Sequence, residues 1–304
     1  MERTKDKEQP LVSVCVLCYN SSTTIVETLD SIKEQTYKNI ELIISDDCSK
    51  DNSVTIAQDW IDKNKNRFNR VLLLTIDHNT GISGNGNRAN YAAIGEWIKV
   101  IAADDRLMPN CISDFVDFIS LHPEAKIIFS KVVGFGDEEA AKKWPFKDVS
   151  SVFNQLTQEE IRIALCIGNF LPAPSCFINA QTFKELGGYN EDIPLQEDWA
   201  LWIKATNSGI RLHFMNKETV EYRFSADSIS HGALSKKYKE SDLKTKKMGS
   251  YHLQKTFGAK LWLYTVKKCE SGSRVWRFIH LVNFFNPFYH KYNKGQKVIY
   301  LSNN

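Results

Sequence analysis

The chain has 304 residues, 42% hydrophobic and 25% charged, with a formal net charge of +3. This length buries a sizeable core, and the composition excludes a disordered or low-complexity chain. No run of about 18 apolar residues occurs, so no membrane-spanning helix is expected. The charge is uneven. Residues 233–304 carry 15 Lys and Arg against 3 Asp and Glu, a net of +12, which leaves −9 for residues 1–232. A basic end on an acidic body suits a polyanion or an anionic membrane surface.

LVSVCVLCY (11–19) is an apolar run of strand length, and Ser22 can cap a following helix with Ile25, Leu29 and Ile32 inward. IELIIS (40–45) reads as a second buried strand, followed from about Ser53 by a helix carrying Ile56, Trp60 and Ile61. RVLLLTI (70–76) is a third strand, residues 87–97 a helix, and WIKVIAA (97–103) a fourth strand. Residues 110–121 read as helix, and KIIFSKVV (126–133) as a fifth strand. Buried strands alternating with helices imply an α/β fold, a mostly parallel sheet covered on both faces. Residues 134–180 are less regular, 181–209 hold two short helices, and beyond 225 the pattern is of basic, aromatic-rich helices.

The seven cysteines are scattered. Cys15 and Cys18 have redox or zinc spacing but fall inside a strand, where residues three apart point to opposite faces, so they read as core. Free thiols suit a reducing compartment. The N-terminal MERTKDKEQP has no apolar segment, so no signal peptide is expected.

Ligands of parallel α/β sheets bind beyond the carboxyl ends of the strands. Three such ends are polar: CYNSS, SDDCSKDNS and AADDRLMPN. Asp104-Asp105 offers hard oxygen ligands for Mg²⁺ or Mn²⁺, or a plain helix cap. Asp46 or Asp47 could accept hydrogen bonds from a base or ribose, or close a polar turn. Tyr19 could stack on a planar ring, or merely sit in a turn. HNTGISGNGNRAN (78–90) is glycine-rich and could approach phosphates, with Arg88 as the contact. It is neither a Rossmann G-x-G-x-x-G nor a P-loop, which disfavours nicotinamide and P-loop chemistry. Glu197-Asp198 at a helix start either complements the helix dipole or presents a general base, flanked by Trp199 and Trp202 as a platform for a sugar ring.

Together these pieces resemble glycosyltransferase family 2, inverting enzymes of GT-A fold. The resemblance rests on VSVCVLCYN (12–20), IELIISDDCSKDNS (40–53), NTGISGNGNRAN (79–90), GEWIKVIAADDRLMPN (95–110), FKELGGYNED (183–192) and LQEDWALWIKA (195–205), which appear in the family's order. It implies a catalytic domain over 1–225, with a nucleotide-sugar half (about 10–133) and an acceptor half (134–225), followed by a helical tail (226–304). It also implies that Tyr19, Asp47 and Arg88 hold a UDP-sugar, with Asp104 near the ribose and Asp105 on the metal. Asp198 becomes the catalytic base, with Glu197 and Trp199 at the acceptor. The sequence departs from the family's habits at Ala102, where an aspartate is frequent, at Leu17-Cys18, where Pro-Thr is frequent, and at Ser225, where a histidine is common. His231 is the nearest substitute.

In the tail, LWLYTVKK (261–268) and RVWRFIHLVNFFNPFY (274–289) interleave aromatics with Lys and Arg, as helices lying in a membrane interface do. The resemblance then implies a lipid-diphosphate-linked saccharide acceptor at the inner face of the cytoplasmic membrane, in assembly of O-antigen or another bacterial surface polysaccharide. No nucleic-acid module is recognisable, so nucleic acid is not an expected partner. A nucleotidyl- or phosphotransferase using the same acids, and a non-catalytic sugar-nucleotide binder at the membrane, are the alternative readings.

Overall fold

The computed structural model describes residues 9–143, 149–166, 168–225 and 236–253. The first half runs β1 (Val12–Cys18), α1 (Ile25–Lys33), β2 (Ile40–Asp46), α2 (Ser53–Asn64), β3 (Arg70–Leu74), α3 (Gly81–Ala92), β4 (Trp97–Ala102), β5 (Arg106–Leu107) and α4 (Cys111–Leu121). The second runs β6 (Ile127–Gly136), α5 (Glu138–Lys143), α6 (Ser150–Phe153), α7 (Gln158–Leu165), β7 (Phe177–Asn179), α8 (Ala180–Glu185), α9 (Glu197–Asn207), β8 (Leu212–Phe224) and α10 (Lys236–Leu253).

One mixed sheet holds the strands in the order β3-β2-β1-β4-β7-β6-β8-β5. β3, β2, β1 and β4 are parallel, as the continuous apolar runs require. β7 lies antiparallel between β4 and β6, β6 and β8 are parallel, and the short β5 pairs antiparallel with β8. Val12, Val14, Val16 and Cys18 join one core with α1, α2 and α4, whereas Cys15 and Ile43 face a second core with α3, α8 and α9. In the first core Phe177 stacks on Trp97 at 4.9 Å and on Phe115 at 4.7 Å. Cys15 and Cys18 are free and buried, and burial pushes both thiols up.

Two helix starts differ from the sequence reading. α1 begins at Ile25 with Thr24 at its N-cap, so Ser22 lies two residues too early to cap it, and its amide donates to Asp51 Oδ2 at 3.0 Å. α3 begins at Gly81, so the glycine-rich stretch is itself helical. Glycine propensity disfavours that helix, but tertiary contact overrides it. A Cβ on Gly86 would lie 2.8 Å from Cε2 of Tyr189, and one on Gly84 would lie 2.7 Å from Thr80. The tyrosine is fixed in turn by Asn87, whose amide side chain accepts from Tyr189 N at 2.8 Å and donates to Tyr189 O at 3.0 Å.

α10, the first helix of the basic stretch, packs on α7 and α9 through buried Ser241 and Thr245, with Gly249 against Cys166. The aromatic segments at 261–268 and 274–289 lie outside the described residues. Among the described residues no helix is long and apolar enough to cross a membrane.

Gly86→Ala tests the close approach. Helix propensity alone favours alanine by about 1 kcal/mol, but forcing a methyl into a packed contact costs about 1–3 kcal/mol. The melting temperature is expected to fall by about 2–6 °C. A rise would show that Tyr189 does not bind α3 tightly.

Candidate active site

Three adjacent strands deliver their ends to one edge. Cys18 is in register with Asp46, and Leu17 with Ala102. The Asp47 amide donates to Cys18 O at 2.9 Å and the Ala103 amide to Leu17 O at 3.0 Å, which continues the alignment past the strands. Tyr19, Asp47 and Asp104 therefore leave the sheet side by side. The loops after β1 and β2 are cross-linked: Asn20 N donates to Ser49 Oγ at 2.8 Å, Lys50 N to Asn20 Oδ1 at 2.8 Å, and Ser21 N to Ser53 Oγ at 2.7 Å. Asn20 takes a left-handed φ of 50° to do so. Burial raises the Asp51 carboxyl, but the hydrogen bonds from Ser53 and Ser22 together outweigh it and hold the group at about 2. Tyr19 beside this crevice is 46% exposed, its ring open to stacking.

Asp47 is buried at the start of α3. Its carboxylate accepts from Thr80 Oγ1 at 2.6 Å, Gly81 N at 2.8 Å and Thr80 N at 3.0 Å, as an acid at a helix N-terminus does. Arg88 donates to Asp47 at 3.2 Å, Ser45 Oγ at 3.0 Å, Asn85 Oδ1 at 2.9 Å and Asp46 O at 3.2 Å. Its guanidinium thus braces Asp47, while its NH1 makes a single long bond, to Thr80 Oγ1 at 3.4 Å.

Asp105 is buried at the turn after β4. Oδ1 accepts from the Arg223 amide at 2.8 Å, and no other hydrogen bond reaches the carboxylate among the described residues. Thr28 Oγ1 donates to the Asp105 carbonyl at 2.7 Å and Thr24 Oγ1 to the Ala103 carbonyl at 2.8 Å, so α1 grips the turn. Burial, then the neighbouring Asp104, pushes Asp105 up to about 8, against the pull of the Arg223 amide and of the Lys99 and Arg223 charges. Burial also raises half-buried Asp104. Lys99 is fully buried in β4, donates to Val100 O at 3.0 Å and to Pro174 O, and is pushed down by burial.

The divalent cation that the family resemblance implies fits these residues. The donors are hard oxygens, and the Arg223 amide and the Lys99 and Arg223 charges offset the burial of Asp105 only in part. Among the described residues no three His, Cys, Asp or Glu form a ready cage, so a cation would complete its shell with water and substrate oxygens.

Glu197 and Asp198 open α9 behind Leu195, whose φ is 66°. Asn169 Nδ2 donates to Asp198 Oδ2 at 2.7 Å, while Glu197 Oε2 is buried with no partner among the described residues. Burial raises both acids, and the Asp198 charge raises Glu197 further. Trp199 requires a correction: it is 2% exposed, and its indole N–H donates to Leu165 O at 2.6 Å. It faces the second core with Trp202, because the inward side of α9 must cover the sheet, and it offers no platform for a ring.

Cys176 lies near both Lys99 and Asp198, and burial holds its thiol well above the ordinary thiol range, so it stands between the two acid pairs as a neutral group. Several residues here escaped the sequence reading. Tyr189 lies close enough to feel both Glu197 and Asp198, and Tyr238 of α10 bonds Gln196 and feels Asp198. Asn169 came from an irregular stretch with no pattern to mark it. Arg223 stood inside EYRFSADSIS, a segment whose missing histidine drew the attention.

The family model for glycosyl transferase family 2 matches residues 13–185, more than half of the chain. The chain belongs to glycosyltransferase family 2 and is a transferase of that class, with a GT-A-type fold. It is 28% identical over 235 residues to UDP-Glc:alpha-D-GlcNAc-diphosphoundecaprenol beta-1,3-glucosyltransferase WfaP of Escherichia coli, covering 77% of this chain and 85% of that protein. It is 27% identical over 227 residues to an uncharacterized glycosyltransferase of Rickettsia felis, 73% of this chain but 35% of that longer protein. Among solved structures, S. aureus TarS 1–349 in complex with UDP-GlcNAc is similar at a TM-score of 0.62 and 21% identity, over 77% of this chain and 65% of that one. The mannosyltransferase PcManGT of Pyrobaculum calidifontis, in complex with GDP-Man and Mn2+, is similar at 0.56 and 15%, over 94% and 87%.

Asp105→Asn probes the uncompensated charge. A folded carboxyl near 8 against about 4 unfolded makes the metal-free protein lose stability as pH rises through that window. The asparagine variant is therefore expected to melt several degrees above the unaltered protein at pH 9 and to gain less at pH 5. An equal gain at both pH values would refute the buried charge.

Proposed function

We propose that this protein moves a sugar from a UDP-sugar to a hydroxyl of a lipid-diphosphate-linked saccharide, with inversion at the anomeric carbon. The observation that carries this reading is the presence, in a family 2 fold, of two desolvated acid pairs, one at the strand ends and one at the start of α9. The likeness to WfaP over most of both chains supports the lipid-linked acceptor, and the TarS complex supports a UDP donor.

Tyr19 stacks on the uracil, and Asp47, fixed by Arg88 and α3, lies beside the nucleoside. Asp104 lies near the ribose, and Asp105 holds Mn²⁺ or Mg²⁺. When bound, that cation supplies positive charge where the departing diphosphate becomes negative. Asp198, oriented by Asn169, takes the proton of the acceptor hydroxyl while its oxygen bonds to the anomeric carbon and the bond to UDP breaks. A single displacement of this kind inverts the centre. Glu197 serves the acceptor side. The basic tail draws the enzyme to the inner face of the cytoplasmic membrane, where lipid-linked saccharides for O-antigen or another surface polysaccharide are extended.

The test is a UDP-release screen across several UDP-sugars with Mn²⁺, with and without a lipid-diphosphate-GlcNAc acceptor. Acceptor-dependent UDP release is expected. Pyrophosphate in its place would mean nucleotidyl transfer, and UDP binding without turnover a non-catalytic binder. Asp198→Asn should cut kcat by about 10²–10⁴-fold while UDP still binds. Because a base must be ionised and burial raises Asp198, kcat/KM should fall on the acid side at a pH above the ordinary carboxylate range. Retained turnover in the variant would remove Asp198 from the role.

A further inference from the structure

We infer that Arg223 is the positioning residue of the Asp104-Asp105 turn, shaping it for a cation without being a ligand. The inference rests on the metal-dependent reading proposed above. Arg223 is the penultimate residue of β8 and reaches the turn in two ways: its amide donates to Asp105 Oδ1 at 2.8 Å, and its Nε donates to the Asp104 carbonyl at 2.9 Å. Main chain and side chain of one residue thus fix both successive acids.

A guanidinium so near two carboxylates would be expected to pair with them and fill the cation's place. Here it is drawn aside. Its NH2 donates to Glu27 Oε2 of α1 at 2.6 Å, and its centre lies 4.4 Å from the Phe135 ring centroid. Arg106 shares that ring at 4.0 Å, reaches Glu27 at 3.7 Å, and bonds Glu221 at 2.9 Å. Two arginines and two glutamates balance around one aromatic ring. With the Arg223 guanidinium engaged there, its only direct bond to the Asp105 carboxylate is the neutral backbone N–H, and its charge acts on that acid from a distance, as that of Lys99 does. The second carboxylate oxygen takes no hydrogen bond among the described residues, which leaves it for a hard cation. The planar fork, stacked and bonded along two edges, is something a lysine ammonium cannot reproduce.

The experiment measures Mn²⁺ binding by the loss of the free-ion electron paramagnetic resonance signal at saturating UDP, beside thermal melting of the metal-free protein. Arg223→Met keeps the amide bond to Asp105 and removes the side chain. It is expected to weaken Mn²⁺ binding tenfold or more, and Arg223→Lys to recover only part of that loss. Phe135→Leu, which touches neither acid, should weaken binding severalfold. A purely structural arginine would lower the melting temperature and leave Mn²⁺ affinity unchanged in folded protein, and that result overturns the inference. Should Arg223→Met fail to fold, unchanged affinity in both Arg223→Lys and Phe135→Leu overturns it equally. If the unaltered protein binds no Mn²⁺ with UDP, the metal reading itself fails and takes this inference with it.

Discussion

Taking a carboxylate out of water without a counter-charge costs several kcal/mol, and the site depends on that cost. The chain buries Asp105 and the Glu197-Asp198 pair, yet supplies neither with a full ionic partner. The contrast with Asp47 is instructive. That acid is equally buried but receives two amides, a hydroxyl and an arginine. The fold can compensate a buried acid when structure demands it, so the acids left without a full partner are the candidates for contact with a ligand.

Much of what keeps these acids in place is backbone, held by side chains that carry no chemistry. Thr24 and Thr28 grip the carbonyls of the turn after β4, and Asn87 grips both backbone groups of Tyr189. The glycines of α3 let that tyrosine approach. A helix of poor intrinsic propensity is stabilised by what it packs against, and its irregular composition reflects contact with the Tyr189 loop.

The strands were legible in the sequence because burial on both faces writes continuous apolar runs, whereas each acid pair alone reads equally as a cap or a helix-dipole partner and stood out only through the order and spacing of all the pieces together. Three things were hidden. The start of α3 was obscured since glycines that serve packing look like glycines that serve a loop. Trp199 read as a platform because an aromatic beside an acid is ambiguous until the inward face of its helix is known. Asn169 and Tyr238 come from an irregular segment and from the charged stretch beyond 225. Which of their side chains meets Asp198 depends on contacts between residues 29 and 40 positions apart, and no local pattern encodes that.

The antiparallel β7 has a mechanical consequence. By inserting between β4 and β6 it joins the parallel half of the sheet (β3, β2, β1 and β4) to the half formed by β6, β8 and β5 in one continuous sheet. A molecule divided into two lobes can open about a hinge, but separating these halves would tear interstrand hydrogen bonds from a covered core. Rearrangement is thereby confined to the loops beyond the strand ends, and the spacing between the Asp104-Asp105 turn and the start of α9 is set by the sheet itself.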